Sequence, residues 1–430
     1  MTAVAWRGRH RTLAAAGRGL VELATVAVAA AATGALAGHR PLLAAVAAGA
    51  LVSLWLTVRP HPAAIALGAS LPALENLGSA GAGVKLSLGD LVLLLVVASA
   101  LAGAVVSKDG AVFRVLRPVR FPVGQYCVFV LLLLVAHPSK WSTAQTIQRF
   151  ELVVLPLVAG SYLALRGAHV ALLKAYVVGA TAVAVAWPFT HLDLQKNPAG
   201  QLLANALLLL VGLPQLSRFR ILVPVLVFGL FATASRGAIL AGLLGLVIVL
   251  VLRGVGAPRR TLVTATLLAG VALAVFQLMP ANTQSRITDY STNSSTASGY
   301  AAQQRIQYSD AALTLTRKNP WLGVGVGSYL REAERDQLYA SDDPHDVVLL
   351  QSAEGGWGFA ASFVVLVLGS ALPLVRRRDD LAHTAVAITL ATAAHGLVDV
   401  YWVRGTPVLG WLLVGMACAG AARLRSRTAA

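Results

Sequence analysis

From residue 88 to residue 106 the sequence reads LGDLVLLLVVASALAGAVV, with Asp90 its one charged side chain. As a helix rising about 1.5 Å per residue, a stretch of this length crosses the roughly 30 Å hydrocarbon core of a bilayer. Similar runs lie near 20–38, 42–58, 61–75, 122–138, 149–165, 168–187, 201–214, 219–233, 237–252, 261–280, 347–372, 381–399 and 407–422. Lipid offers the backbone no hydrogen-bond partners, so a chain built from such runs must satisfy its amides within helices. The pattern predicts an all-α, polytopic transmembrane helical bundle of about 12–14 spans. Its weakest members are the short, proline-containing run 61–75 and the run 201–214. With 57% of the 430 residues hydrophobic and 12% charged, a single integral membrane domain over 1–430 is expected in place of several soluble ones.

The formal charge of +17 would suggest nucleic acid in a soluble protein, but in a membrane protein the placement of the cations matters first. Alternating sides from a cytoplasmic N-terminus puts most arginines inside, including Arg7, Arg9, Arg11, Arg18, Arg114, Arg117, Arg120, Arg376, Arg377 and Arg378. Of the 18 acids, only Glu22, Asp109, Asp379 and Asp380 fall on that side. This positive-inside bias predicts a multi-pass plasma-membrane protein with both termini cytoplasmic, lipids as neighbours and no nucleic-acid partner. The basic N-terminus with its alanine-rich run reads as a retained first span, with a cleaved secretory leader as the alternative. Cys127 and Cys418 sit in apolar runs without metal-ligand spacing and read as small core hydrophobes.

The one long hydrophilic segment, 281–346, falls on the predicted outer face as a loop between spans. It opens with the linker TDYSTNSSTASG, followed by a predicted helix whose Arg305, Tyr308, Ala312 and Leu315 share a face before Asn319-Pro320 ends it. A second short helix is expected at about 328–339. Between them, GVGVG lacks the G-x-G-x-x-G spacing and follows a helix, not a strand, so it reads as a tight turn for close backbone packing or a turn bordering an anion pocket.

Polar residues gather at that same predicted face. Arg236, in TASRGAIL, begins an apolar run, where it either snorkels to the interface or faces a functional partner. In DDPHD, Asp343 is expected as an N-cap and Pro344 at the first helical position, which would put His345 in the opening turn of the span near 347–372. A helix N-terminus disfavours imidazolium and attracts anions, so a neutral His345 would suit a general base beside a phosphate seat; a hydrogen-bonded interfacial histidine is the alternative. Arg149 and Glu151 could pair or line one cavity, and His395 and Asp399 lie one turn apart, with a structural hydrogen bond as the default for each pair. No H-x-x-x-H or H-E-x-x-H spacing offers convergent metal ligands, and no cofactor is implied.

SRGA at 235–238, then RIQYSDAALTLTRKNPWLGVGVGSY, then PHDVVLLQSAEGGWG, taken in this order, resemble the O-antigen ligase and polymerase superfamily. KLSLGDLVLLL and HGLVDV are weaker echoes; Asp346 stands where the family carries asparagine, and fourteen spans exceed the family's more usual twelve. The resemblance implies a GT-C-like fold and a metal-independent inverting glycosyltransferase in the bacterial plasma membrane. Such an enzyme moves a glycan from a polyprenyl (undecaprenyl) diphosphate donor to an acceptor hydroxyl on a glycan, glycolipid or glycoprotein at the outer face. It further implies Arg236 and Arg305 on the diphosphate with Arg149 as a third cation, His345 as base, and Glu354, His395 and Asp399 in supporting positions. A secondary transporter or flippase of envelope precursors is the principal alternative, predicting ionisable residues deep in spans and interrupted helices; an envelope scaffold is another.

Overall fold

The computed structural model describes residues 52–428 apart from 53–54, 73–75, 80–84, 109, 191–194, 255–257, 289–296 and 403–405. The run near 20–38, most of 42–58, the basic N-terminus and most of the Ser/Thr-rich linker lie outside the described residues. Among the described residues the chain is a helical bundle with one short antiparallel hairpin, β1 (Asn76–Ser79) and β2 (Lys85–Ser87), a small departure from an all-helical reading.

Seven described helices are long and apolar enough to cross a membrane. They are α2 (Leu88–Ser107), α3 (Arg120–Ala136, with a 3-10 turn before it), α4 (Lys140–Leu165), α5 (His169–Thr190), α7 (Val223–Ala232, extended by a 3-10 stretch from Pro214), α8 (Arg236–Gly254) and α13 (Val347–Val375). The other expected runs form α1 (Pro60–Ser70), α6 (Lys196–Gly212), α9 (Pro258–Leu278), α14 (Asp380–His395) and α15 (Val408–Thr428). At 11 residues, α1 is only about 16 Å long and does not cross a bilayer by itself. The expected run 381–399 also ends early, at His395, where Gly396 caps the helix.

Asp90, the lone charge in the stretch quoted at the outset, forms a capping box. Its carboxylate accepts from the Ser87 amide at 2.7 Å and the Ser87 hydroxyl at 2.8 Å, satisfying donors that the first turn leaves open. The core centres on α6, which is buried from Pro198 to Gly212 except at Leu207. Helices α4 and α15 approach until a Cβ on Gly160 would lie 2.1 Å from the Leu412 carbonyl and one on Gly415 2.2 Å from that of Leu157. Small residues at such crossings are how helices gain packing contacts where lipid supplies no hydrophobic drive.

The hydrophilic segment folds as α10 (Ala281–Thr288), α11 (Ala297–Lys318) and α12 (Tyr329–Arg335). On α11, Ala312 and Leu315 are buried and Thr316 shares a 3.0 Å hydroxyl contact with Ser352 of α13, so the later half of the expected face packs on the bundle while Arg305 stays exposed. The second helix is shorter than the expected 328–339: Gln337 takes φ of 55° and the Leu338 amide bonds back to the Ala333 carbonyl at 2.8 Å, closing the helix.

Candidate functional site

α13 breaks at Gly355 and Gly356, the latter at φ 74°. The break frees backbone groups inside a buried helix, and the glycine loop between α11 and α12 takes them up. Val324 donates to the Ala353 carbonyl at 2.9 Å, Gly325 to that of Glu354 at 2.8 Å, and the Trp357 amide donates to the Pro320 carbonyl at 2.9 Å. Gly323, Gly325 and Gly327 all have positive φ, and a Cβ on Gly323 would sit 2.3 Å from the Glu354 carbonyl carbon. GVGVG is therefore a turn for close backbone approach, one of the roles its sequence suggested. An interrupted helix is a transporter feature too, but here the freed groups are spent on the loop.

Glu354, 3% exposed, joins that loop to the helical core. Its Oε1 accepts from the Gly327 amide at 2.7 Å and its Oε2 forms an ion pair with Arg149 Nη2. The Arg149 guanidinium stands 4.8 Å over the Trp402 ring and 5.8 Å from that of Phe359. Gln351, its amide oxygen turned toward two donors, accepts from Trp402 Nε1 at 2.8 Å and Arg149 Nη1 at 2.6 Å. Arg149 does not pair with Glu151. Residues two apart on a helix point to different sides, and Glu151 is buried near Asp90 instead.

The second centre lies where α11, α14 and the segment before α13 meet. Asp399, in the turn after α14, presents one carboxylate oxygen 3.8 Å from Arg305 Nη2 and the other 3.5 Å from His345 Nδ1. Burial alone would raise the Asp399 carboxyl, but the His345 and His395 imidazoles and the Val400 amide hold it below the usual carboxylate range. The His345 ring lies beside that of Tyr308, centroids 6.0 Å apart, and Tyr308 in turn stacks on Tyr339 at 5.6 Å.

His345 is not in the first turn of α13. Asp346 is the N-cap, its Oδ1 accepting from Val348 at 2.8 Å and Leu349 at 3.0 Å, while Asp343 accepts from the His345 amide at 2.7 Å. This local turn holds His345 at φ 58°, one residue outside the cap, with its ring beside Asp399 and Tyr308. The helix-terminus argument for His345 thus gives way to a carboxylate neighbour. Asp343 lies outside the spans, and burial pushes its carboxyl up to about 7, opposed by the His345 amide and imidazole and reinforced by Glu354 and Asp399.

Arg236 opens α8, half-buried, after Ser235, whose hydroxyl donates to Asn197 Oδ1 at 2.8 Å. Lys196, the first residue of α6, lies within electrostatic range of Arg236, Arg305, Arg286 and Asp399. His395 packs against the SRG turn: a Cβ on Gly237 would be 3.3 Å from its Nε2, a buried nitrogen with no hydrogen-bond partner. The expected His395–Asp399 hydrogen bond is not formed. Of the residues singled out from sequence, Arg236, Arg305, His345, His395 and Asp399 come together at one end of the bundle, while Arg149 and Glu354 form the buried pair behind the loop. Lys196, Gln351 and Trp402 were missed, and Asp343 was read only as a helix cap. Lys196 alone carried a signal, since it precedes an apolar run much as Arg236 begins one. Among the described residues, no group of three His, Cys, Asp or Glu side chains is placed to hold a metal ion.

The fold and this polar end define a multi-pass membrane protein with a cationic centre at a helix-loop mouth. Residues 221–364 match the family model described as O-antigen ligase, a match that supports the O-antigen ligase and polymerase superfamily. The matched stretch contains Arg236, Arg305, His345 and Glu354, while Arg149, Lys196, His395 and Asp399 lie beyond it. No curated protein matches the chain. The family implies a membrane glycan-transfer enzyme of the ligase or polymerase kind acting on lipid-linked glycan and an acceptor.

Proposed function

We propose that the protein is an inverting glycosyltransferase that moves a glycan from a polyprenyl diphosphate to an acceptor hydroxyl at the outer face of the plasma membrane. One observation carries the reading: the two oxygens of Asp399 face Arg305 and His345 respectively. In the reaction the acceptor oxygen attacks the anomeric carbon from the side opposite the diphosphate. The anomeric C–O bond breaks, and its electron pair leaves with the diphosphate. The hydroxyl proton goes to His345 Nε2, with Asp399 against Nδ1 to orient the ring and stabilise the imidazolium. The 3.5 Å contact is long for a hydrogen bond, and catalytic contacts of this kind often tighten only in the reacting complex.

Charge gathering on the leaving diphosphate is met by fixed guanidinium groups, whose planar forks suit phosphate oxygens. Arg305 and Arg236 take this role, with Lys196 and Arg286 as further cations in range. Arg149 is engaged by Glu354, so in this reading it positions the glycine loop and does not touch the donor. The outward placement of the site rests on the positive-inside bias of the sequence, and the helical segment 281–346 would fold over the glycan as an extracytoplasmic loop inserted in one membrane domain.

Purified protein in nanodiscs, supplied with a prenyl-diphosphate glycan and a hydroxyl acceptor, tests the assignment. Release of prenyl diphosphate should fall about 10²–10⁴-fold in His345→Ala and comparably in Arg305→Ala. Turnover unchanged in both variants would remove the site.

A further inference from the structure

Beside the glycine loop lies a cavity of about 440 Å³ that shares none of its lining with the Arg305–Asp399–His345 cluster. We propose that it binds an acidic sugar residue of the glycan substrate, an inference that rests on the glycan-transfer reading. The volume falls in the range of roughly 300–1,000 Å³ that holds small ligands. His137, Ser139, Asn319 and Ser328 supply imidazole, hydroxyl and amide groups, and no aromatic ring other than that imidazole lines it. Recognition there is by hydrogen bonds and charge.

Arg331 and Arg335, one turn apart on α12, share the wall facing this space. A single carboxylate serves both, Glu332, at 3.5 Å from Arg331 Nε and 3.3 Å from Arg335 Nη1. Two guanidinium groups against one carboxylate leave one positive charge in surplus, and a planar guanidinium fork suits a further carboxylate. His137 packs against the glycine loop: a Cβ on Gly325 would be 2.7 Å from the His137 Cβ. Val324, part of the same lining, also bonds the broken turn of α13, so a glycan held here is held against the loop that Glu354 fixes.

Binding is measured on the full-length protein in detergent with no prenyl donor present. The probes are an oligosaccharide ending in glucuronate and its glucose counterpart. The glucuronate probe should bind at least about tenfold tighter, a factor that one added charge-assisted contact supplies, and the advantage should shrink as salt rises. Arg331→Gln with Arg335→Gln should erase the advantage and leave the neutral probe unaffected. Equal binding of the two probes, or a preference that survives the double variant, overturns the proposal. So does a preference lost in Arg305→Ala instead, which would put the acid at the other centre.

Turnover then separates the sources. With the acidic sugar on the donor in one arm and on the acceptor in the other, the double variant should raise KM only for the substrate that carries it. An unchanged KM in both arms overturns the link to substrate. Acid-selective binding at the cavity without turnover of any glycan would refute the transfer reading and leave the cavity assignment standing.

Discussion

Arg149 and Glu354, 205 residues apart in sequence, form a buried ion pair whose carboxylate also holds the Gly327 amide. A charge pair in the core thus sets the position of a loop at the mouth of the bundle. Replacing Arg149 with Met leaves a buried, uncompensated carboxylate and should cost about 3–5 kcal/mol. The double variant Arg149→Met, Glu354→Gln should recover a large part of that loss, as read by thermal unfolding in detergent. If the single and double variants melt alike, the pair is not coupled.

Gly356 takes φ 74°, and a Cβ there would lie 2.4 Å from the Pro320 carbonyl oxygen. Gly356→Ala should therefore push the glycine loop off the broken helix. Limited proteolysis near 320–327 should become faster at native temperature, while Gly110→Ala, in open space, should leave cleavage unchanged.

The Asp343 carboxyl, pushed up to about 7 by burial, holds its proton in the folded chain at pH values where the unfolded chain has lost it. The folded state binds more protons between about pH 4 and pH 7, so stability falls as pH rises through that window and levels off beyond it. Asp343→Asn keeps an oxygen for the His345 amide and removes the titration. The melting temperature of the wild type should drop between about pH 5 and about pH 8, and the variant should show a smaller drop. An identical slope in both would dismiss Asp343 as its source.

Arg305→Lys keeps the charge and loses the fork, so it should lower kcat with the lipid-linked donor nearly as far as Arg305→Ala does. Asp399→Asn should act on the other side of the reaction, reducing kcat with little change in donor KM. A donor KM that rises while kcat holds would assign Asp399 to binding, not to orienting His345.

The helical architecture was legible because lipid forces long apolar runs into helices whatever their internal order, and α11 was legible from the spacing of Ala312 and Leu315. Local competition was harder to read. DDPHD offers three acids to one helix start, and the choice of Asp346 over Asp343 depends on which one two free amides reach. The early end of α14 did carry a signal in His395-Gly396, a C-terminal pattern overshadowed by the apolar residues after it. Partners distant in sequence were not legible at all. Nothing near Arg149 points to Glu354, and nothing near His345 points to Asp399, because tertiary packing alone brings them together.

The exchange of backbone hydrogen bonds between the glycine loop and the broken turn of α13 makes the two segments one unit of inheritance. A chimaera that imports residues 320–327 from another protein with this fold would need to import 353–357 with them, since each segment's amides and carbonyls are written for the other.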